Sequence, residues 1–115
     1  MRKDKAYIEH ILQAISDTEK FMEGVSENEF YNDKEKQYAV IHALEIIGEA
    51  TKNLSKEIKA KNPETDWTNI AGMRDKLIHE YFGINLPLVW QVVKADLPQL
   101  KKQAQKLLEN VYETL

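Results

Sequence analysis

The chain has 115 residues, enough for one compact domain and too few for two ordinary ones, so residues 1–115 are predicted to form a single domain. Hydrophobic residues make up 43% and charged residues 30%, as in a water-soluble globular protein, and the absence of cysteine excludes disulfides and thiolate metal sites. The formal charge of −3 argues against a general electrostatic nucleic-acid binder, so any RNA contact would depend on a local basic patch or on a partner.

The first predicted helix covers residues 4–22 and is amphipathic. Its apolar residues recur at helical spacing: Ile8, Ile11, Leu12, Ile15 and Met22. Gly24 is predicted to end it. The charged residues that precede this helix do not resemble the apolar core of a signal peptide, and no apolar run is long enough to cross a bilayer. We therefore expect a cytoplasmic protein with no membrane segment.

A second long helix is predicted over residues 33–54, after a capping box at Ser26-Glu27-Asn28-Glu29 and a cap at Asn32 or Asp33. It is apolar on two sides, so it is either central to a bundle or covered by a second subunit on one side. Gly48 lies in its middle, where glycine costs about 1 kcal/mol relative to alanine and is best tolerated where another backbone approaches closely. The remaining polar stripe consists of His42, Glu45, Glu49 and Lys52.

The rest of the chain is predicted to form four more helices, two of them short. The first runs from a cap at Ser55 to a stop at Asn62-Pro63, and the second from a cap at Asp66 to a glycine C-cap at Gly83. The last two begin with caps at Asn85 and Asp96. No segment has the alternating pattern of a β-strand. The sequence therefore predicts an all-α fold, an up-and-down helical bundle of four main helices with one or two short ones.

Residues 72–83 contain the candidate catalytic residues, because Arg74, His79 and Tyr81 lie within an otherwise ordinary helical pattern. Arginine is a permanent cation that grips phosphate oxygens, and histidine transfers protons near neutral pH. Together they suffice for cutting RNA without a metal, where a ribose 2′-hydroxyl attacks its own phosphate. On one ideal helix, however, Arg74 and His79 differ in direction by about 140°. Either the helix breaks near His79, or the site gathers residues from two copies of the chain.

We predict the second arrangement, an active cleft at a homodimer interface. A symmetric dimer is the commonest oligomer, and a second subunit would account for the doubly apolar second helix and for Gly48.

The segment Arg74-Asp75-Lys76-Leu77-Ile78-His79-Glu80-Tyr81 resembles the signature of HEPN domains, which is arginine, four residues, histidine, one residue, tyrosine. It is most similar to the HepT-type toxins, which are encoded beside a minimal nucleotidyltransferase antitoxin of the MntA type. The likeness extends to residues 43–50 and 67–73 and covers nearly the whole chain. It implies a HEPN-like bundle and a metal-independent endoribonuclease toxin without a cofactor, belonging to a type VII-like toxin–antitoxin pair.

The resemblance also implies roles for single residues. Arg74 and His79, contributed by both subunits, would be catalytic: Arg74 would hold the scissile phosphate, and His79 would be the general base or the general acid. Asp75 is four residues before His79, one helical turn, so it could orient the imidazole. Tyr81 would support the site and accept AMP from the antitoxin, which adds bulk and negative charge that block RNA. For toxins of this kind, we expect the substrate to be transfer RNA.

The role of Glu45 and Glu49 is open, and two other functions compete with the ribonuclease. Glu45 and Glu49 could line the cleft, although a solvated polar stripe is the favoured interpretation. His42 lies one turn before Glu45, but no metal site is predicted because a further ligand is missing. The rival function is a non-catalytic helical binding module that docks a nucleotidyltransferase or a nucleotide. Only the enzyme needs His79 to transfer protons. A purely structural adaptor would leave the motif unexplained.

Overall fold

The computed structural model describes residues 2–79 and 83–113, and this part of the chain is mainly helical. Its elements in chain order are α1 (Arg2–Phe21), α2 (Glu27–Tyr31), α3 (Lys34–Asn53), α4 (Lys56–Ala60), α5 (Trp67–Ala71), α6 (Met73–Leu77), β1 (Ile78–His79), β2 (Gly83–Ile84), α7 (Leu86–Gln91), a π-helical segment (Val92–Asp96) and α8 (Leu97–Glu113). The predicted all-α class is confirmed. Within the described residues, no helix is both long enough and apolar enough to cross a membrane.

The core forms where α1 packs along α3 and α8 packs on α1. The apolar stripes predicted for these helices are buried: Ile8, Ile11 and Ile15 on α1, Val40, Leu44 and Ile47 on α3, and Leu100, Ala104 and Leu107 on α8. Lys101 Nζ of α8 lies 3.1 Å from a carboxylate oxygen of Glu19 on α1, so an ion pair borders this packing at the surface. Burial of these stripes stabilises the three helices.

Local side-chain caps set most helix starts where the sequence predicts them. Gly24 follows α1 with a left-handed φ of 71°. Ser26 Oγ accepts from the Glu29 backbone N–H at 3.1 Å and the Ser26 N–H donates to the Glu29 carboxylate at 3.4 Å, which is the predicted capping box. Asp33 caps α3 by accepting from the Lys36 N–H. The predicted caps at Ser55, Asp66 and Asn85 are also present.

The predicted helix from Asp66 to Gly83 is wrong in its second half. The chain forms two five-residue helices, α5 and α6, that are separated at Gly72, and the second ends at Leu77. Strands β1 and β2 then pair antiparallel, with Ile78 opposite Ile84 and His79 opposite Gly83, although no strand was predicted. Gly83 does have a left-handed φ of 82°, but it lies in the returning strand and caps no helix. The Asn85 N–H closes the segment on the Leu77 carbonyl at 2.8 Å.

The predicted cap at Asp96 is also wrong, because α7, the π-helical segment and α8 follow one another without a break. The Leu97 N–H donates to the carbonyl of Val92, five residues earlier, which is the π-helical pattern. Pro98 explains this geometry. It has no N–H to donate, and its ring crowds the carbonyl four residues before it, so a wider turn lets the helix continue through the proline.

Candidate active site

A polar cleft with a volume of about 450 Å³ opens between α3 and the α5–α6 pair. It is lined by His42, Glu45, Ile46, Gly48, Glu49, Lys52, Ala71 and Asp75. The first six come from successive turns of α3, and the last two come from α5 and α6. The polar stripe of α3 that the sequence shows is therefore one wall of a cavity.

The two walls approach each other closely at Gly48. A Cβ placed on Gly48 would lie 3.2 Å from the Ala71 carbonyl oxygen and 3.7 Å from that of Ile70. The close backbone approach predicted for this glycine is confirmed, and the approaching backbone belongs to the same chain. Gly48 is thus explained by the fold of one subunit and does not require a second one.

Three sets of contacts hold α5 and α6 in place. The Trp67 indole N–H donates to the carbonyls of Lys59 and Asn62, at 3.2 and 3.0 Å, which fixes the start of α5. Lys76 Nζ of α6 donates to Asn69 Oδ1 of α5 and bridges the break at Gly72. Met73 and Leu77 are buried in the core. Since both ends of α6 are anchored, the backbone at Arg74 is fixed between buried Met73 and cleft-lining Asp75.

The structure places the two motif residues on different elements, Arg74 in α6 and His79 in β1. The helix breaks between them, so the first of the two arrangements left open by the sequence is present, and the 140° separation on one ideal helix does not apply. The side chains of Arg74 and His79 and the whole of Tyr81 lie outside the described residues. Their pairing within one chain or across two copies stays a prediction.

The structure brings the acidic residues that the sequence singled out into one cleft. Asp75 borders it from α6, opposite half-buried Glu45 and exposed Glu49 on α3. The two glutamates line the cleft, and their role in the site stays a prediction. Asp75 was expected to orient His79 from one helical turn away, but α6 ends at Leu77, so that spacing does not exist. Among the described residues, no group of His, Cys, Asp and Glu is arranged to hold a metal ion.

Sequence reasoning left Lys52 out of the site. It lines the cleft at the end of α3, and no ion pair within the described part of the chain engages it. The signal was present, because Lys52 belongs to the same polar stripe as Glu45 and Glu49. What the stripe could not show is which element faces it, since that depends on how the separate helices α5 and α6 pack.

The fold and the cleft define a class of protein, a mainly helical one whose arginine–histidine segment borders a polar cleft. The family model described as "Ribonuclease HepT-like" matches residues 11–107. The chain belongs to this HepT-like ribonuclease family, which confirms the resemblance and, at the level of the family, the prediction of an RNA-cleaving enzyme.

Two relatives show how far the similarity extends. "Probable ribonuclease HepT" of Thermococcus cleftensis is 47% identical over 106 residues, covering 92% of this chain and 96% of the relative. "Putative RNase TTE0752" of Caldanaerobacter subterraneus subsp. tengcongensis is 43% identical over 109 residues, covering 95% and 97%. No solved structure gives a significant match. The similarity to both relatives spans almost the full length of each.

Proposed function

We propose that this protein is a metal-independent endoribonuclease in which Arg74 and His79 act on RNA in the cleft between α3 and α6. The observation that carries the proposal is the position of α6: Asp75, the residue after Arg74, lines a cavity of about 450 Å³. Membership in a ribonuclease family supplies the reaction class. The cleft is large enough for part of an RNA strand to enter beside the motif.

The proposed reaction needs only proton transfer and charge stabilisation. A base removes the proton of a ribose 2′-hydroxyl, the oxygen attacks the adjacent phosphorus, and the bond to the 5′-oxygen breaks. The leaving oxygen takes a proton, and the products are a 2′,3′-cyclic phosphate and a 5′-hydroxyl. His79 is the general base or acid, and Arg74 stabilises the charge on the phosphoryl oxygens.

An RNA-cleavage assay in the presence of EDTA tests this activity. The unmodified native chain is compared with Arg74→Ala, with His79→Ala and with His10→Ala, a control whose histidine is exposed on α1. We expect cyclic-phosphate ends from the native chain and the control, and a loss of about 10²–10⁴-fold in the two motif variants. An intact, unmodified dimer that cuts none of the RNAs tested would instead favour the non-catalytic binding module.

We further propose, as the resemblance to HEPN domains implies, that the active form is a homodimer whose sites combine Arg74 of one copy with His79 of the other. Mixing inactive Arg74→Ala and inactive His79→Ala chains tests this directly. In a mixed dimer one combined site keeps both native residues, so part of the activity should return. If each site lies within one chain, no mixed dimer contains an intact site and the mixture stays inactive.

The third part of the proposal is regulation, in which the protein is the toxin of a type VII-like pair and an MntA-like nucleotidyltransferase adds AMP to Tyr81. The added phosphate would bring negative charge next to Arg74 and exclude RNA. Incubation with such an enzyme and ATP should increase the mass by AMP and stop cleavage, and Tyr81→Phe should prevent both changes. A mass increase that persists in Tyr81→Phe would place the modification elsewhere.

One rival to this proposal is a binding module that docks the nucleotidyltransferase or a nucleotide without cutting RNA, and the acidic lining of the cleft favours the docking of the protein partner. Glu45, Glu49 and Asp75 line the same cavity, and carboxylates repel a phosphate backbone. The rival predicts binding to the nucleotidyltransferase that is unchanged in His79→Ala, together with no cleavage by the native chain.

A further inference from the structure

Lys52 differs from the other described lysines because it lines the cleft. It stands in the last turn of α3, and it is the one lysine among the described residues that line the cleft. Lys36, Lys61 and Lys101 each pair with a carboxylate at 3.1–3.6 Å. Lys52 has no such partner in the described part of the chain, although Glu49 precedes it by one turn. Its ammonium group is therefore available to a ligand that enters the cleft.

The cleft has an uneven charge pattern along α3. His42 and Lys52 lie at its two ends, ten residues or about 15 Å apart on the helix axis. Glu45 and Glu49 lie between them, and Asp75 faces them from α6. A phosphate in the middle of this wall would lie beside carboxylates, whereas a phosphate at the C-terminal end of α3 would lie beside the Lys52 ammonium group. An RNA strand along the cleft would thus be held at its phosphates near that end.

We propose that Lys52 binds a phosphate of the RNA strand next to the scissile phosphate, as a substrate-binding residue of the cleft. This inference rests on the proposed ribonuclease function, because it states how that site holds its substrate. Arg74 serves the reacting phosphate, and Lys52 fixes the register of the strand. RNA that continues past the cut on the Lys52 side should then bind more tightly than RNA that ends there.

The experiment measures equilibrium binding of the full native chain to a fluorescent single-stranded RNA with 2′-O-methyl riboses, which lacks the attacking hydroxyl. Affinities are determined by anisotropy over a series of salt concentrations for the native chain, Lys52→Ala and Lys56→Ala. Lys56 is the matched control, an exposed lysine at the start of α4 that does not line the cleft. Loss of one single-strand phosphate contact should reduce the slope of log affinity against log salt by about 0.7, and weaken binding about fivefold at 0.1 M salt.

A second arm identifies the phosphate. Neutral methylphosphonate linkages are introduced one at a time into the same RNA. At the linkage that Lys52 contacts, neutralisation should weaken binding to the native chain and to Lys56→Ala but leave Lys52→Ala unchanged. A merely structural role of Lys52 in ending α3 would lower the thermal unfolding midpoint without changing the salt slope, and that result would overturn the inference.

The two proposals fail in different ways. If unmodified RNA is cut but Lys52→Ala and Lys56→Ala bind alike, the Lys52 contact is wrong and the ribonuclease stands. If Lys52→Ala alone loses affinity but the native chain cuts no RNA, the phosphate contact stands and the ribonuclease is wrong. A native chain that neither binds nor cuts RNA overturns both.

Discussion

The α1–α3 pair and the α5–β2 segment are stabilised in different ways. Helices α1 and α3 have 20 residues each and pack against each other over much of their length, so their contacts are numerous and redundant. The described residues of the segment from α5 to β2 form two helices of five residues and two strands of two residues. Elements this short do not form alone in water. Their structure depends on the helix against which they pack.

This difference separates the scaffold from the site. The residues proposed for chemistry lie in the short segment, while α3 supplies both the opposite wall of the cleft and the contact at Gly48. Helix α3 therefore faces the core on one side and the cleft on the other. Substitutions on its two sides should affect stability and activity to different extents, which provides a direct way to test the division.

The largest effect is expected from neighbouring isoleucines on the two sides of α3. Ile47 is 0% exposed in the core, and Ile46 is 38% exposed at the cleft. Ile47→Ala should lower the free energy of unfolding by about 2–5 kcal/mol, because it leaves a cavity in packed surroundings. Ile46→Ala should change it by less than about 0.5 kcal/mol. Urea unfolding of both variants measures this, and equal losses would contradict the assignment of the two sides.

The contact between the walls should matter more for activity than for stability. Gly48→Val places atoms against the Ala71 carbonyl and should cost about 1–3 kcal/mol by overpacking. Gly24→Ala is the matched control: it lies far from the cleft in the chain, has no atom within 4 Å of the new Cβ, and strains a left-handed backbone by about 1–2 kcal/mol.

Gly48→Val and Gly24→Ala should lose similar amounts of stability but different amounts of RNA-cleaving activity. Displacement of α5 and α6 in Gly48→Val moves the motif and should reduce cleavage about 10- to 100-fold. Gly24→Ala should cut RNA at the native rate below its unfolding temperature. A parallel decline in both variants would mean that global stability, and not the wall contact, limits activity.

The long helices and their caps could be predicted because their signals are local. A buried stripe at helical spacing specifies α1 and α3, and polar caps such as Asp33 or Asp66 specify where helices begin. The break after α5 has no comparable signal, since Trp67, Ile70 and Leu77 continue a helical pattern across Gly72. Two-residue strands are too short for any periodicity to reveal.

The site was predictable in residue type and less so in arrangement. The motif and the polar stripe of α3 are visible in the sequence, but their meeting in one cleft depends on the close approach at Gly48. The helical spacing that suggested a link from Asp75 to His79 disappears because the chain leaves α6 at Leu77. Spacing arguments hold only while the element that defines them continues.

The smallest expected effect is a change in the stability of the helical scaffold at acidic pH. The Lys36 backbone N–H donates to the Asp33 carboxylate at 3.1 Å, and this lowers the pKa of Asp33 below its ordinary value of 3.8, with the nearby Lys36 ammonium acting in the same direction. Because the folded-state pKa is lowered, the unfolded chain binds this proton more readily than the folded chain. The stabilisation is therefore complete above the ordinary pKa of 3.8 and is lost as pH falls towards the lower folded-state pKa. Asp33→Asn keeps an N-cap acceptor but removes the titration. Between pH 5 and pH 3, the urea midpoint of the native chain should therefore fall further than that of Asp33→Asn, and RNA cleavage at pH 7 should be equal in the two. Midpoints that fall in parallel would show that the cap on α3 does not contribute to acid sensitivity.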